Sequence, residues 1–285
     1  MANNFINAKK AIIPENSHLG KNVIVNCEHF EIGENSYIGD NVRINCRKFI
    51  AGSYLYMTEG VEVGRGGCFG PRSNVTIGNN VGIFERAVLN PSESISIGDN
   101  AGIGGEVMIW THGAWLDVLS GFPSSFGPVK IGENVWLPAR TIVLPNSEIG
   151  NNCVISVNSV VNRSLPPGCL AGGNPASIIK EGIYPASLRE GEKRRIVAEI
   201  IDEWSDLLGY KEHNEYKISI EENLNLRLDD SKIGVAVFRI EKLPYSVEGD
   251  VGVLAEDLRD YLRRRGIKIY TGKAFESIKP RYMEI

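Results

Sequence analysis

The 285-residue chain has little of what marks secreted, disulfide-stabilised or nucleic-acid-binding proteins. Its five cysteines are odd in number and form no Cys-x-x-Cys pair, so we expect reduced thiols, with no disulfide framework and no metal site. The formal net charge is only −4, which argues against a nucleic-acid partner. Because no apolar run reaches the length of a signal peptide or a membrane span, we expect a cytoplasmic protein with no membrane span.

Glycine and charge are distributed unevenly along the chain. Residues 1–180 contain 23 of the 31 glycines, with 13 Lys or Arg and 14 Asp or Glu, whereas residues 181–285 contain 18 and 21 of these charged residues. This shift predicts two domains, residues 1–180 and residues 181–285, with the boundary near Lys180.

An aliphatic residue recurs every six positions through most of the first segment. The positions are Ile32, Ile38, Ile44 and Ile50, then Ile77, Ile83 and Leu89, then Ile97, Ile103 and Ile109, and finally Ile131, Leu137, Val143, Ile149, Ile155 and Val161. Neither a helix nor a simple alternating strand has a period of six. A coil of short straight segments does, with three segments per turn. Residues 18 apart, such as Ile131 and Ile149, should therefore stack in parallel strands.

Glycine and asparagine mark the bends between segments, as in Ile38–Arg43 (IGDNVR) and Ile131–Trp136 (IGENVW). Glycine permits a tight bend, and asparagine tolerates left-handed backbone geometry. Two gaps interrupt the repeat. Residues 113–128 are predicted to form a loop extruded from the coil, which is a usual location for binding and chemistry. Residues 51–75 include Gly-Arg-Gly-Gly at 64–67 but lack the Gly-Lys-Ser/Thr of a phosphate loop, so a distorted coil is predicted there.

These repeats, the WTHG segment at 110–113 with its loop, the run PVKIGENVWLPARTIVLPNSEIG and the closing VVNRSLPPGCLAGGNPASIIK resemble the hexapeptide-repeat acyltransferases. The most similar branch is that of the CoA-dependent sugar O-acetyltransferases, over roughly residues 13–180. The resemblance implies a mainly β fold, a left-handed parallel β-helix, and a homotrimer whose active sites lie between neighbouring helices. It also implies acetyl transfer from acetyl-CoA, as co-substrate and without a required metal, to a hydroxyl of a saccharide acceptor.

His112 is the candidate catalytic residue among four histidines, because it opens the predicted loop. In the resembling family, the histidine at this place is the general base that takes the proton of the acceptor hydroxyl. Such a hydroxyl is a poor nucleophile until a group titrating near neutrality removes its proton. Many relatives read Thr-x-x-His-Pro, whereas here Thr111 directly precedes His112 and Gly113 follows it. A loop histidine without a catalytic role is the alternative.

The candidate acceptor-binding residues are Asn90, which lies one coil earlier, and three residues close to His112 in sequence: Trp110, Trp115 and Asp117. Asn90 falls where relatives carry an acidic or amide residue touching the acceptor, and a turn role is the equal alternative. The two tryptophans, with Phe122 and Phe126, either stack on a sugar or pack the loop. Asp117 or Glu106 could orient the imidazole.

The candidate CoA-binding residues, which the resemblance supplies, are Ala139, Val157, Asn162, Asn174, Ser177 and Lys180. In relatives the pantetheine arm runs along a groove between subunits, and a basic residue at the place of Lys180 meets the nucleotide phosphates. Val157 and Ser177 replace a smaller residue and a basic residue, respectively. A solvent-exposed Lys180 without a ligand is the alternative.

The second segment reads as an α+β domain of unrecognised family. A helix is predicted over 186–208 with Gly209 ending it, and another over 251–265 with Gly266 ending it. Residues 216–220, 235–238 and 267–270 read as strands. The run Arg263–Arg265 is either a solvated helix end or a contact for an anionic group.

Two further functions are compatible with the sequence. An N-acyltransferase acting on a nucleotide-linked amino sugar would need no strong base, because a neutral amine is already nucleophilic. A non-catalytic β-helix scaffold is the alternative of another class, and the extruded loop and the CoA-groove matches argue against it.

Overall fold

The computed structural model describes residues 4–213, 215–280 and 282. The chain forms two compact units, one ending at Ala186 and the other beginning at Ser187. Among the described residues, neither helix combines the length and the apolar character needed to cross a lipid bilayer.

The first unit is a left-handed parallel β-helix with three faces, and its strands are numbered in chain order. The first face contains β2 (His18–Leu19), β4 (Tyr37–Ile38), β7 (Tyr56–Met57), β10 (Gly82–Ile83), β13 (Gly102–Ile103), β18 (Trp136–Leu137), β21 (Val154–Ile155) and β23 (Leu170–Gly173). The second face contains β5 (Arg43–Asn45), β8 (Glu62–Val63), β11 (Val88–Asn90), β14 (Met108–Trp110), β19 (Ile142–Val143) and β22 (Val160–Val161). The third face contains β6 (Lys48–Ala51), β9 (Asn74–Ile77), β12 (Ile95–Ile97), β17 (Val129–Ile131) and β20 (Glu148–Ile149).

Longer or antiparallel strands complete this unit. The strands β1 (Phe5–Ile12) and β3 (Ile24–Glu31) pair in parallel, and β3 spans two faces because it pairs with β5 at one end and β6 at the other. The short strands β15 (His112–Gly113) and β16 (Ser125–Phe126) pair antiparallel within the extruded loop. The last strand, β24 (Ala176–Lys180), returns antiparallel to β23.

The predicted register of the repeat is confirmed. Ile131 pairs with Ile97 on one side and with Ile149 on the other. The repeating aliphatic side chains point inward, and Ile38, Ile83 and Ile103 have no solvent exposure. Burying one such side chain stabilises the fold by about 1.5–3 kcal/mol, so the stack of coils supplies its own core.

Asparagine at the bends adopts the left-handed backbone that the sequence predicts. Asn134 and Asn152 have φ values of 55° and 59° on successive coils. Their side chains form a ladder in which Asn134 Nδ2 donates to Asn152 Oδ1 at 3.0 Å. The same residue type therefore satisfies both the bend and the stacking of coils.

Two details of the predicted repeat were wrong. Ile50 is not a core residue, since Phe49 and Ala51 are the buried side chains of β6. The reason is that early coils contain 19 residues, as the pairing of Tyr37 with Tyr56 shows, so a strict step of six loses phase. The irregular stretch is also shorter than predicted, because regular strands continue through Val63 and resume at Asn74.

The second unit is an α+β domain with a four-stranded antiparallel sheet in chain order. Its elements are α1 (Glu190–Tyr210), β25 (Tyr216–Ile220), β26 (Leu226–Asp230), β27 (Gly234–Arg239), β28 (Ser246–Gly249) and α2 (Val253–Arg264). Trp204, Phe238 and Leu258 are fully buried in its core. A buried ion pair joins Lys211 Nζ to Asp257 Oδ1 at 2.9 Å, and Trp204 Nε1 donates to the other oxygen of the same carboxylate.

Several predicted boundaries of this unit differ from the structure. The first helix begins at Glu190 and continues through Gly209, which therefore does not end it. Strand β26 was missed because charged residues alternate with its leucines, and β28 was missed because it has only four residues, one of them apolar. Residues 267–270 form no strand, although Ile269 is fully buried in the core. The three arginines of the predicted cationic run form ion pairs within this unit. Arg263 and Arg264 contact Asp260, and Arg265 contacts Glu203.

Candidate functional site

Both interruptions of the repeat leave the helix at the same edge, where the second face passes into the third. We call this edge the loop corner, and it comprises residues 64–73, 90–94 and 111–128. These segments follow β8, β11 and β14, which are neighbouring strands of the second face. Segments far apart in sequence are therefore brought together on three successive coils.

His112 lies at the loop corner, directly above Ser92 of the preceding coil. Leu89 pairs with Ile109 across β11 and β14, a separation of 20 residues that also separates Ser92 from His112. The Nδ1 atom of His112 lies 2.9 Å from the hydroxyl oxygen of Ser92. Within the described residues, no hydrogen bond to His112 Nε2 is formed.

Two aromatic rings flank the imidazole of His112. Phe126 stacks on it with the ring centroids 5.7 Å apart and an interplanar angle of 24°. Trp110 meets it edge-on at 6.0 Å. Phe126 is held there because it pairs with His112 across the β15–β16 ladder. The ring is therefore fixed on two sides and partly exposed on the others.

The irregular segment 64–73 is fastened to the next coil by side chains. Arg72 binds the carboxylate of Glu93 through two nitrogen–oxygen contacts of 2.5 and 2.7 Å, and this bonding lowers the pKa of Glu93. The thiol of Cys68 donates to Asn90 Oδ1 at 2.7 Å, and burial raises the pKa of that thiol. The distorted segment is thus joined to the coil that follows it by an ion pair and a hydrogen bond.

Asn90 is 2% exposed, and its backbone carbonyl accepts a hydrogen bond of 2.7 Å from the Thr111 hydroxyl. The same hydroxyl accepts from the amide of Glu93 at 2.9 Å. The side chain of Asn90 bonds to Cys68, and its predicted contact with the acceptor stays a prediction, as does its alternative turn role. Thr111 links the start of the extruded loop to the corner beneath it.

The remaining acceptor-side candidates lie further out on the loop. Trp115 is 94% exposed. Asp117 caps a short 3-10 helix over Val118–Ser120, where it accepts from Leu119 N and Ser120 Oγ, and the Ser120 bond lowers the pKa of its carboxyl.

The hydrogen-bond partner of His112 Nδ1 is Ser92, and neither of the carboxylates considered as its orienter bonds to it. Asp117 is engaged within the loop, and Glu106 is engaged by Arg86 and Arg140 at 2.8 and 2.7 Å. Ser92 was missed by sequence reasoning. The signal that could have found it is the spacing of Leu89 and Ile109, which predicts that Ser92 lies one coil below His112.

Two of the six CoA-side candidates lie at another edge of the β-helix, where the first face passes into the second. We call it the groove corner. Ala139 and Val157 lie there on successive coils, because Asn158 N donates to Ala139 O at 3.1 Å. The turn between β23 and β24 adjoins them, since Gly173 N donates to the hydroxyl oxygen of the neighbouring Ser159 at 3.0 Å.

The other members of the CoA-side set differ in position. Asn174 and Ser177 are exposed in or beside the turn between β23 and β24, and Lys180 is exposed at the end of β24. Asn162 instead follows β22, above the loop corner. Within one chain, the strands of the second face therefore lie between His112 and the groove corner.

Sequence comparison confirms the resemblance to hexapeptide-repeat transferases. Residues 128–163 match the family model described as bacterial transferase hexapeptide (six repeats). A Saccharomyces cerevisiae protein classed by name with the acetyltransferases is 38% identical over 112 residues, which cover 38% of this chain and 57% of that protein. The galactoside O-acetyltransferase of Escherichia coli is 39% identical over 54 residues, covering 19% of this chain and 27% of that enzyme. The chain thus spans little more than half the length of the first of these relatives.

Structural comparison confirms the fold. The crystal structure of the polySia-specific acetyltransferase NeuO aligns with a TM-score of 0.50, covering 72% of this chain and 95% of that one. The sequence identity in this alignment is 19%, so the likeness extends to the fold alone.

Proposed function

Because this chain carries the hexapeptide repeat of bacterial transferases, we propose that it transfers an acetyl group from acetyl-CoA to a hydroxyl of a saccharide. The observation that carries the proposal is the imidazole of His112, whose Nδ1 bonds to Ser92 and whose Nε2 remains for the acceptor. The name of the galactoside O-acetyltransferase relative supports a saccharide as the acceptor.

His112 acts in this proposal as general base and then as general acid. Its Nε2 takes the proton of the acceptor hydroxyl while the hydroxyl oxygen attacks the carbonyl carbon of the thioester. The carbon–sulfur bond then breaks, and the same proton passes from Nε2 to the departing sulfur. The products are the acetyl ester and the free thiol of CoA. General-base catalysis of this kind contributes about 10²–10⁴-fold to the rate.

The groove corner fits the pantetheine arm of CoA. Ala139 and Val157 are exposed there, with Val157 at 62%, so this edge of successive coils is open to a linear amide-bearing chain. Lys180 is exposed as well, and an ammonium group is a suitable partner for the nucleotide phosphates.

The same arrangement supports the homotrimer that the family resemblance implies. His112 lies at the loop corner and two CoA-side candidates, Ala139 and Val157, lie at the groove corner, with the second face between them. A second copy that brings its groove corner to the loop corner of the first would complete the site. Closed rotational symmetry then repeats this contact at each interface.

A thiol-release assay with acetyl-CoA and a panel of sugars, amino sugars and serine tests the proposed function. We expect turnover with a hydroxyl acceptor and loss of it in His112→Ala. If only amino sugars are acetylated, and His112→Ala retains this activity, the protein is an N-acyltransferase and the proposed O-acetylation is wrong. If no acceptor is turned over and calorimetry detects no CoA binding, the result would favour the non-catalytic β-helix scaffold.

A further inference from the structure

We propose that Ser92 is a positioning residue that fixes the tautomer of His112, by donating its own proton to the carbonyl oxygen of Gly67 and accepting the Nδ1 proton of the ring. The Ser92 hydroxyl oxygen lies 2.9 Å from His112 Nδ1 and 3.2 Å from Gly67 O. The catalytic meaning of this chain of hydrogen bonds rests on the proposed function. The chain itself is a property of the protein without substrate.

The direction of the chain follows from the proton inventory of its three groups. A backbone carbonyl can only accept, and a hydroxyl has one proton to donate. If that proton points to Gly67 O, the oxygen of Ser92 is left as an acceptor, and Nδ1 must carry a hydrogen to satisfy it. A neutral imidazole with hydrogen on Nδ1 has a lone pair on Nε2. Nε2 is therefore the basic nitrogen.

The thiol of Cys68 is the nearest group that could compete with His112 for the Ser92 hydroxyl oxygen, and it already donates to another acceptor. The sulfur of Cys68 lies 3.9 Å from the Ser92 hydroxyl, but its proton goes to Asn90 Oδ1 at 2.7 Å. Burial raises the pKa of this thiol, so it remains a protonated donor to Asn90 near neutrality. Cys68 therefore does not offer its proton to Ser92, and the chain from His112 to Gly67 keeps its direction.

The carbonyl at the end of the chain depends on the irregular segment 64–73. Gly67 has φ of 88°, a conformation that side chains with a Cβ rarely adopt, and a methyl group there would approach Ser92 Oγ to 3.2 Å. The ion pair of Arg72 with Glu93 joins this segment to the coil that carries Ser92. The interruption of the repeat thus supplies the acceptor that a regular coil would not place there.

Nitrogen-15 NMR of the histidine ring tests the tautomer directly and needs no substrate. The full-length protein is labelled with ¹⁵N, and two-bond correlations from ring protons are recorded where the imidazole is neutral. The His112 signals are assigned by their loss in His112→Gln. We expect the wild type to show a protonated Nδ1 and an unprotonated Nε2. A wild-type ring with its hydrogen on Nε2 would overturn the proposal.

Two Ser92 variants and a matched control separate tautomer control from a general structural effect. In Ser92→Ala we expect the two His112 nitrogen resonances to move towards each other, as both tautomers become populated, whereas Ser92→Thr keeps the wild-type pattern. Ser96→Ala, which removes an exposed hydroxyl of β12, should change nothing. Unchanged resonances in a folded Ser92→Ala would contradict the inference.

Steady-state kinetics of the Ser92 variants test whether the tautomer of His112 affects the rate of acetyl transfer. In Ser92→Ala we expect kcat to fall roughly threefold to tenfold, the range that one neutral hydrogen bond supplies, with KM for acetyl-CoA unchanged. Ser92→Thr should restore the rate. If the spectra are as expected but the wild type transfers no acetyl group, the proposed function fails while the assignment of Ser92 stands. If transfer occurs and the spectra show hydrogen on Nε2, the assignment of Ser92 fails alone.

Discussion

At the residue scale, the groove corner presents exposed side chains of small or moderate size. Val157 is 62% exposed and lies one coil beyond Ala139, where the pantetheine arm of CoA is proposed to lie. Because the Val157 side chain contributes nothing to the core of the helix, the fold tolerates a larger residue there. The bound arm would not tolerate it.

Val157→Arg is therefore expected to weaken CoA binding by on the order of tenfold or more, which corresponds to about 1.4 kcal/mol. The melting temperature should remain within about one degree of the wild type, since exposed substitutions seldom affect stability. Calorimetric titration with CoA measures the change. Val253→Arg, at a residue 69% exposed in the second unit, is the matched control. Equal CoA affinity in the two variants would remove Val157 from the proposed groove.

At the element scale, an aromatic column runs along the outside of the first face. His18 stacks on Tyr37 at 4.8 Å, and Tyr37 stacks on Tyr56 at 5.2 Å. Further along, Phe84 meets Trp136 edge-on at 6.3 Å. Glycine at the intervening positions leaves room for these rings, because a methyl group on Gly102 would lie 2.5 Å from Trp136 Cε3.

Gly102→Ala should destabilise the protein by about 1–3 kcal/mol, as expected when a packed position is overfilled. In a Trp136→Ala background the same substitution should cost less, because the ring that it displaces is absent. Chemical denaturation of the two single variants and the double variant gives the interaction free energy. Gly70→Ala, where nothing lies within 4 Å of the added methyl group, is the control. Additive free energies would contradict the role assigned to Trp136.

Also at this scale, the repeat was predictable from sequence, whereas its exceptions were not. Ile131 and Ile149 pair as the 18-residue spacing predicts, since each regular coil repeats the same local geometry. Ile50 does not follow, because one extra residue per coil shifts the phase in the early turns. Strand β26 was missed because three of its five residues are charged, so the two buried residues, Leu226 and Leu228, do not form a clear alternating apolar pattern.

Part of the candidate site was also predictable from the sequence, and part was not. The extruded loop and His112 stand out in the sequence because the repeat stops there. The carbonyl of Gly67 could not be predicted, since its place depends on the path of an irregular segment and on the ion pair of Arg72 with Glu93. Contacts of this kind are set by tertiary structure, and no local periodicity encodes them.

At the scale of the whole molecule, the proposed site requires two chains. Light scattering should give a mass about three times the 31.4 kDa of one chain, as a closed trimer requires. A stable monomer at working concentration would contradict the shared site.

Complementation between two variants impaired in different halves of the proposed site tests the sharing itself, at an acetyl-CoA concentration too low to occupy the Val157→Arg groove. His112→Ala and Val157→Arg chains, carrying different tags, are refolded together in equal amounts. If each site takes its base from one chain and its groove from the next, about a quarter of the sites in randomly mixed trimers combine two intact halves. We expect that fraction of the wild-type activity. No recovery in mixed trimers isolated through both tags would mean that base and groove come from the same chain.

The most direct test of the account is kcat for transfer to a hydroxyl acceptor in His112→Ala, measured with CoA affinity and melting temperature on the same preparation. Because proton removal matters only as the new bond forms, the account predicts a fall in kcat of about 10²–10⁴-fold. The CoA dissociation constant and the melting temperature should stay close to the wild-type values. A folded variant that acetylates the hydroxyl at the wild-type rate would contradict the central claim that His112 is the general base.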